Sequence, residues 1–130
     1  MCAALPFRRL ALVLSVALAL GVALALARAA SLQEQGPSQL GFTVVARKYA
    51  FSPARIEVQQ DDLVKIVFST QDIPHSFTID QYRIAKRAGP GQTVVFEFRA
   101  DQAGTFPFYC NLTIDEKCRE MQGQLIVRPR

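Results

Sequence analysis

The sequence predicts an all-β protein, an antiparallel β-sandwich preceded by an N-terminal export segment. From Phe42 onward, short runs of β-branched and aromatic residues alternate with turn residues. No segment between them has the length and 3.6-residue period of a core helix. Seven strands in about ninety residues are typical of a two-sheet sandwich. The predicted strands are Phe42–Val45, Ile56–Val58, Leu63–Phe68, Ser76–Ile79, Thr93–Phe98, Thr105–Tyr109 and Gln124–Val127.

The first thirty residues have the pattern of an export signal. Two arginines precede an apolar run over residues 10–27, and Ala27-Arg28-Ala29 has the small-x-small form of a cleavage site. The run is also about the minimum length for a membrane span, so an uncleaved anchor through residues 10–27 is the alternative. In both cases the leading positive charges place the remainder outside the cytoplasm, periplasmic or otherwise extracytoplasmic. We therefore predict a signal peptide or anchor over residues 1–29, a polar linker over 30–41, and one domain over 42–130.

Charge and motifs argue against nucleic-acid binding and against catalysis. The full chain has a net charge of +4, but three arginines belong to the leading segment, and the remainder carries 12 Lys and Arg against 11 Asp and Glu. A nearly neutral domain without a basic run gives no reason to expect a nucleic-acid partner. The sequence also lacks a nucleophile–base pair, a phosphate-binding glycine loop and paired catalytic carboxylates. We expect a protein that is not an enzyme.

Side-chain parity suggests where the candidate metal ligands point, because successive residues of a strand face opposite sides of the sheet. Three candidates continue core-facing series: His75 with Phe77 and Ile79, Cys110 with Phe106 and Phe108, and Met121 with Leu125 and Val127. All three lie at strand ends, where side chains of different strands converge. Parity therefore indicates that these three side chains point inward at places where they can converge.

The donor set determines which metals fit. The imidazole of His75, the thiolates of Cys110 and Cys118 and the thioether of Met121 are borderline-to-soft ligands, which suit copper or zinc rather than magnesium or calcium. The segment from Cys110 to Met121 has the length to wrap one ion, with His75 closing the site from another strand. Two cysteines in an oxidising compartment also commonly form a disulfide. We interpret the acidic residues of this segment, Asp115, Glu116 and Glu120, as solvated.

Five motifs in order resemble one known family, the cupredoxins, and in particular the copper-binding domain of cytochrome c oxidase subunit II and similar periplasmic domains. The resemblance covers about residues 42–128, and the motifs are Phe51-Ser-Pro, Ile73-Pro-His75-Ser-Phe-Thr-Ile, Gly89-Pro-Gly-Gln-Thr, Ala103-Gly-Thr-Phe-Pro-Phe-Tyr-Cys110 and Met121-Gln-Gly-Gln-Leu-Ile-Val. The resemblance implies a Greek-key sandwich with copper at one end. In it, His75 matches the first histidine, Cys110 the first cysteine and Met121 the methionine.

The candidate loop departs from the family pattern at two positions. The binuclear oxidase pattern has a second cysteine four residues after the first and a histidine eight after it, where this chain has Ile114 and Cys118. The chain has one histidine, so it does not supply the two imidazoles of a blue-copper or binuclear centre. Three interpretations remain: one copper ion bound by His75, Cys110, Cys118 and Met121, a metal-free domain with a Cys110–Cys118 disulfide, or zinc in the same ligand set.

These observations predict an exported copper-binding protein that acts in copper handling or one-electron transfer. Its partners would be the copper ion and a redox or copper-transfer protein. The sulfur-rich ligand set favours the cuprous ion and hence copper handling. The alternative is a metal-free structural or protein-interaction module.

Overall fold

The computed structural model describes residues 36–130, so the predicted leader and residues 30–35 of the predicted linker lie outside the described residues. The described part contains nine β-strands and two 3₁₀ helices, the latter at Asp80–Tyr82 and Glu116–Glu120. Within residues 36–130, no helix is long and apolar enough to cross a membrane. The strands are β1 Gln39–Arg47, β2 Ala50–Ser52, β3 Arg55–Gln59, β4 Leu63–Thr70, β5 His75–Ile79, β6 Ile84–Ala88, β7 Thr93–Arg99, β8 Gly104–Tyr109 and β9 Gln122–Arg128.

The strands form two sheets, which confirms the predicted sandwich. The first sheet has the order β2-β1-β4-β7 and the second the order β3-β9-β8-β5-β6. Most neighbours pair antiparallel, as predicted, but β1 pairs with β4 and β3 with β9 in parallel. Such parallel pairs join strands that are distant in the chain through crossover connections rather than through hairpins.

Two strands were not predicted, and the observed strands extend one to three residues beyond most predicted boundaries. β2 has three residues, too few to show a period, and it forms by pairing with the end of β1. β6 contains two cations and one β-branched residue, and it is an edge strand against β5. β1 begins at Gln39 rather than Phe42, because Gln39 already pairs with Leu63 in the parallel ladder.

A cluster of phenylalanines fills the core. The rings of Phe77 on β5 and Phe108 on β8 are stacked with centroids 4.7 Å apart, and Phe51 packs edge-on against Phe108 at 5.2 Å. Phe77 and Phe108 are fully buried. Each ring lies two residues along its strand from a candidate ligand, His75 or Cys110, so the aromatic core lies directly under the predicted metal site.

We expect Gly123→Ala to destabilise the domain. Gly123 lies in β9 against the Phe108 ring, and a Cβ there would contact that ring and come within 2.7 Å of the Ala54 carbonyl oxygen. Overpacking of this kind costs about 1–3 kcal/mol of unfolding free energy. Denaturant unfolding measures the loss, with Gly41→Ala in β1 as control, since a Cβ there meets nothing within 4 Å. Equal stabilities of the two variants would contradict the packing argument.

Candidate metal centre

The strand order brings His75 and Cys110 to the same end of the second sheet. His75 is the first residue of β5, and Cys110 directly follows β8. These two strands are neighbours and antiparallel, with Thr78 opposite Tyr109. The start of β5 therefore lies beside the end of β8. Residues 111–120, which we call the site loop, then lead to Met121 and β9.

Three of the four predicted ligands form one cluster. A ligand nitrogen of His75 and the sulfurs of Cys110 and Cys118 all lie within 4.8 Å of one another. The three residues are at most 1 % exposed. Cys110 and Cys118 are joined as a disulfide, with their Cα atoms 5.3 Å apart. Two sulfurs this close together form a disulfide when oxidised and two neighbouring thiols when reduced.

Met121, the fourth predicted ligand, is held at the base of the site loop by its backbone. Its N–H donates to the Cys118 carbonyl at 3.1 Å, and its carbonyl accepts from the Cys110 N–H at 3.4 Å. Its side chain is 1 % exposed and belongs to the hydrophobic core. The parity that predicted an inward direction for Met121, in line with Leu125 and Val127, agrees with this burial.

The two ring nitrogens of His75 have different surroundings. Nε2 lies 3.0 Å from Oδ1 of Asp72, whereas Nδ1 is buried and has no hydrogen-bond partner among the described residues. An ionised carboxylate only accepts hydrogen bonds, so the proton belongs on Nε2 and the lone pair on Nδ1. A buried acceptor without a partner is uncommon in folded proteins. An unpartnered lone pair on a histidine that clusters with two sulfurs fits the requirements of a soft metal ion.

Asp72 is the residue that fixes this tautomer. Burial alone would raise the pKa of Asp72, but hydrogen bonds from the backbone N–H groups of Lys48 and Ile73, followed by the His75 interaction, lower it below its ordinary value. The two backbone bonds are 2.6 Å and 2.7 Å long. Asp72 is therefore ionised at neutral pH and accepts the Nε2 proton. Carboxylates in this position orient metal-binding histidines and raise their basicity.

Ser76 connects β5 to the sulfur side of the cluster. Its backbone N–H lies 3.4 Å from the Cys110 sulfur, within the range of a hydrogen bond to sulfur. Its hydroxyl accepts from the Asn111 N–H at 2.8 Å and donates to the Asn111 side-chain oxygen at 2.7 Å. Hydrogen bonds to a cysteine sulfur stabilise its thiolate form and tune a bound metal. Ser76 therefore supports Cys110 both directly and through the start of the site loop.

Sequence reasoning missed the residues that support the cluster. Asp72 stands three residues before His75, and that spacing is a local signal that could have indicated the contact. Asp115 was interpreted as solvated, but its carboxylate accepts a 2.8 Å hydrogen bond from the Tyr49 hydroxyl. Sixty-six residues separate that pair in the chain. No sequence pattern predicts such a contact, which depends on how the two sheets are assembled.

The chain matches a protein-family model and is similar in sequence to known oxidase and reductase proteins. The family model for the cupredoxin-like domain matches residues 16–127. Cytochrome c oxidase subunit 2 of Thermus thermophilus is 23% identical over 100 residues, which cover 77% of this chain and 74% of that protein. Nitrous-oxide reductase of Stutzerimonas stutzeri is 27% identical over 84 residues, which cover 62% of this chain. The chain spans only 13% of the length of that reductase.

Solved structures show the same fold at low sequence identity. A chain of a heme-copper terminal oxidase dimer superposes with a TM-score of 0.66 at 19% identity, covering 95% of this chain and 100% of its own length. Subunit II of cytochrome c oxidase, in a mixed disulfide intermediate with a thioredoxin-like protein, superposes with a TM-score of 0.59 at 14% identity. That match covers 69% of this chain and 82% of the other. The chain thus shares its fold with these two oxidase chains.

We expect nuclear magnetic resonance to show a single His75 tautomer that depends on Asp72. The chain has one histidine, so the imidazole nitrogen signals need no assignment between residues. In the neutral imidazole, Nε2 should carry the proton and Nδ1 the lone pair, because Asp72 accepts from Nε2. In Asp72→Ala the two nitrogen signals should move toward a tautomer average. Unchanged signals in the variant would contradict the role assigned to Asp72.

Proposed function

The chain belongs to the cupredoxin-like family, and from this membership we propose that it is an exported protein that binds one copper ion through His75, Cys110, Cys118 and Met121. The observation that carries the proposal is the buried, unpartnered Nδ1 of a histidine clustered with two sulfurs within 4.8 Å. Copper supplies a soft Lewis acid that satisfies this donor set. Zinc is the weaker fit, because thioether sulfur suits copper better.

The ligand chemistry favours copper handling over electron transfer. One imidazole with two thiolates and a thioether stabilises the cuprous ion. A one-electron carrier must bind Cu(I) and Cu(II) in similar geometry. In the family pattern an imidazole helps to balance the two oxidation states, and this chain has Cys118 at that position. The role proposed is therefore to hold or pass on Cu(I). A reversible one-electron couple in the purified copper form would overturn this preference.

Reduction of the disulfide must precede binding, because a sulfur in the Cys110–Cys118 bond is not a thiolate. The step requires two electrons and two protons. A dithiol protein supplies both as it is oxidised to its own disulfide, through a mixed disulfide with one of the two cysteines. The mixed disulfide of a related oxidase subunit II with a thioredoxin-like protein supports a partner of that class here. A second partner would donate or accept Cu(I).

The second candidate function is a metal-free interaction module, and the disulfide itself favours it. In that case the Cys110–Cys118 bond is permanent and closes the site loop. Thiol titration separates the two functions in a Cys2→Ser background, where Cys110 and Cys118 are the only cysteines. Resistance of the disulfide to a thioredoxin-like dithiol would favour the module. Two thiols that copper protects from alkylation would favour the metalloprotein.

We expect about one copper per chain after reduction and anaerobic loading with Cu(I) in the Cys2→Ser background. Cys110→Ser should abolish binding, because it removes a sulfur donor at the centre of the cluster. Thr113→Ala is the matched control, since Thr113 is exposed in the same site loop and should retain the metal. Elemental analysis after gel filtration measures the ratio. Two free thiols without bound copper would contradict the proposal.

Met121→Leu tests the fourth ligand. The exchange conserves volume, so unfolding free energy should change by less than about 1.5 kcal/mol. Loss of the thioether should nevertheless weaken Cu(I) binding, measured by competition with a chromogenic Cu(I) chelator. Leu125→Met, at a buried core position in β9, serves as the control exchange. An unchanged Cu(I) affinity in Met121→Leu would mean that Met121 is not a ligand and that the site has three.

A further inference from the structure

The sulfur ligands are enclosed, although the site loop above them is open to solvent. Cys110 and Cys118 are 0 % and 1 % exposed, whereas Ile114 in the same loop is 71 % exposed. A reductant must contact a sulfur atom directly, and a metal ion must enter the cluster. Neither reaches the sulfurs in the closed arrangement. Chemistry at this site therefore requires the site loop to move.

Side-chain hydrogen bonds hold the site loop closed at two points. At its start, Asn111 is bound by the Ser76 hydroxyl on β5. Further along, the Asp115 carboxylate accepts from the Tyr49 hydroxyl at 2.8 Å. Asp115 also caps the 3₁₀ helix that carries Cys118, by accepting from the Lys117 N–H at 3.0 Å. A displacement of Asp115 would therefore move the segment that holds Cys118.

The contact from Tyr49 differs from the other contacts of the site loop, because Tyr49 comes from the opposite sheet. It lies in the two-residue turn between β1 and β2, strands of the first sheet, whereas the site loop connects β8 and β9 of the second. The neighbouring residue of that turn, Lys48, donates its backbone N–H to Asp72, which holds His75. One turn thus contacts both the histidine side and the sulfur side of the cluster.

We propose that the site loop is a gate over the two sulfurs and that Tyr49 is a positioning residue that keeps it closed through Asp115. The Tyr49 hydroxyl anchors the sulfur side to a turn that already anchors the histidine side. Breaking this one bond frees the Cys118 end of the site loop, while the Ser76–Asn111 contacts and the sandwich beneath stay in place. The gate controls how fast reductants and metal ions reach Cys110 and Cys118.

One further contact and the pKa directions of the pair are consistent with a firm bond between Tyr49 and Asp115. The Lys117 ammonium lies over the Tyr49 ring, 5.5 Å from its centre, a favourable cation–π geometry. The hydrogen bond to Asp115 is the main cause that raises the pKa of Tyr49, and the same bond is the main cause that lowers the pKa of Asp115. At neutral pH the pair is therefore a neutral phenol donating to an ionised carboxylate, the stronger kind of hydrogen bond.

The test is the rate at which a water-soluble phosphine reduces the disulfide of the full chain without metal. Tyr49→Phe keeps the ring and removes only the hydroxyl, and we expect reduction to become about 10-fold faster or more, the effect of losing one hydrogen bond to a charged group. Tyr82→Phe is the matched control, because it removes a hydroxyl that binds the Gln102 carbonyl away from the site loop. Its rate should equal that of the unmodified chain.

Two comparisons distinguish a gate from general loosening. In an Asp115→Ala background, Tyr49→Phe should add no further acceleration, because both changes remove the same bond. Val64→Ala, at a fully buried position of β4 in the first sheet, lowers global stability and should accelerate reduction less than Tyr49→Phe does. A Tyr49→Phe rate equal to that of the unmodified chain, or rates that follow global stability in all variants, would overturn the gate.

If the cysteines are isolated as thiols, the rate of their alkylation is measured instead of the rate of reduction, and the same ratios between variants are expected. Because no metal is present, the outcome is independent of whether copper binds.

Discussion

The stack of Phe77 on Phe108 is the contact on which the candidate site depends. The two rings join neighbouring strands β5 and β8 from within the core, with centroids 4.7 Å apart. His75 and Cys110 each lie two residues from a stacked ring, so the positions of both candidate ligands follow from the packing beneath them. Fully buried aromatic rings repack only with difficulty, because protein interiors are close-packed. The histidine and the first cysteine are thus held by the core, whereas Cys118 is held by the site loop.

This division separates a rigid half of the site from an adjustable half. On the rigid side, Asp72 orients the imidazole, and its carboxylate is in turn held by backbone donors. On the adjustable side, Cys118 lies in a short 3₁₀ helix that is capped by Asp115. A site that must accept a reductant, lose a disulfide and then enclose a metal ion needs one side that moves. The proposed copper handling and the proposed gate both use that asymmetry.

The sequence predicted the parts of this arrangement that local geometry determines. Side-chain alternation placed His75, Cys110 and Met121 on core-facing series, and all three are buried. Alternation is a property of a single strand, so it can be predicted without knowing the partner strands.

β6 was not predicted, because its pairing with β5, rather than its composition, makes it a strand. The Tyr49–Asp115 bond escaped prediction because it joins residues sixty-six apart, across two sheets. The choice between disulfide and metal is not determined by sequence pattern, since both states require the two sulfurs to be neighbours.

The most direct test of the proposed copper ligands is X-ray absorption at the copper edge of the reduced, Cu(I)-loaded chain. We expect a first shell dominated by sulfur, with one imidazole whose scattering disappears in a His75→Ala variant. The chain contains one histidine, so any imidazole signal has a single source in the protein. A first shell of only oxygen and nitrogen atoms, or an imidazole signal that persists in His75→Ala, would contradict the assignment of the site to His75, Cys110 and Cys118.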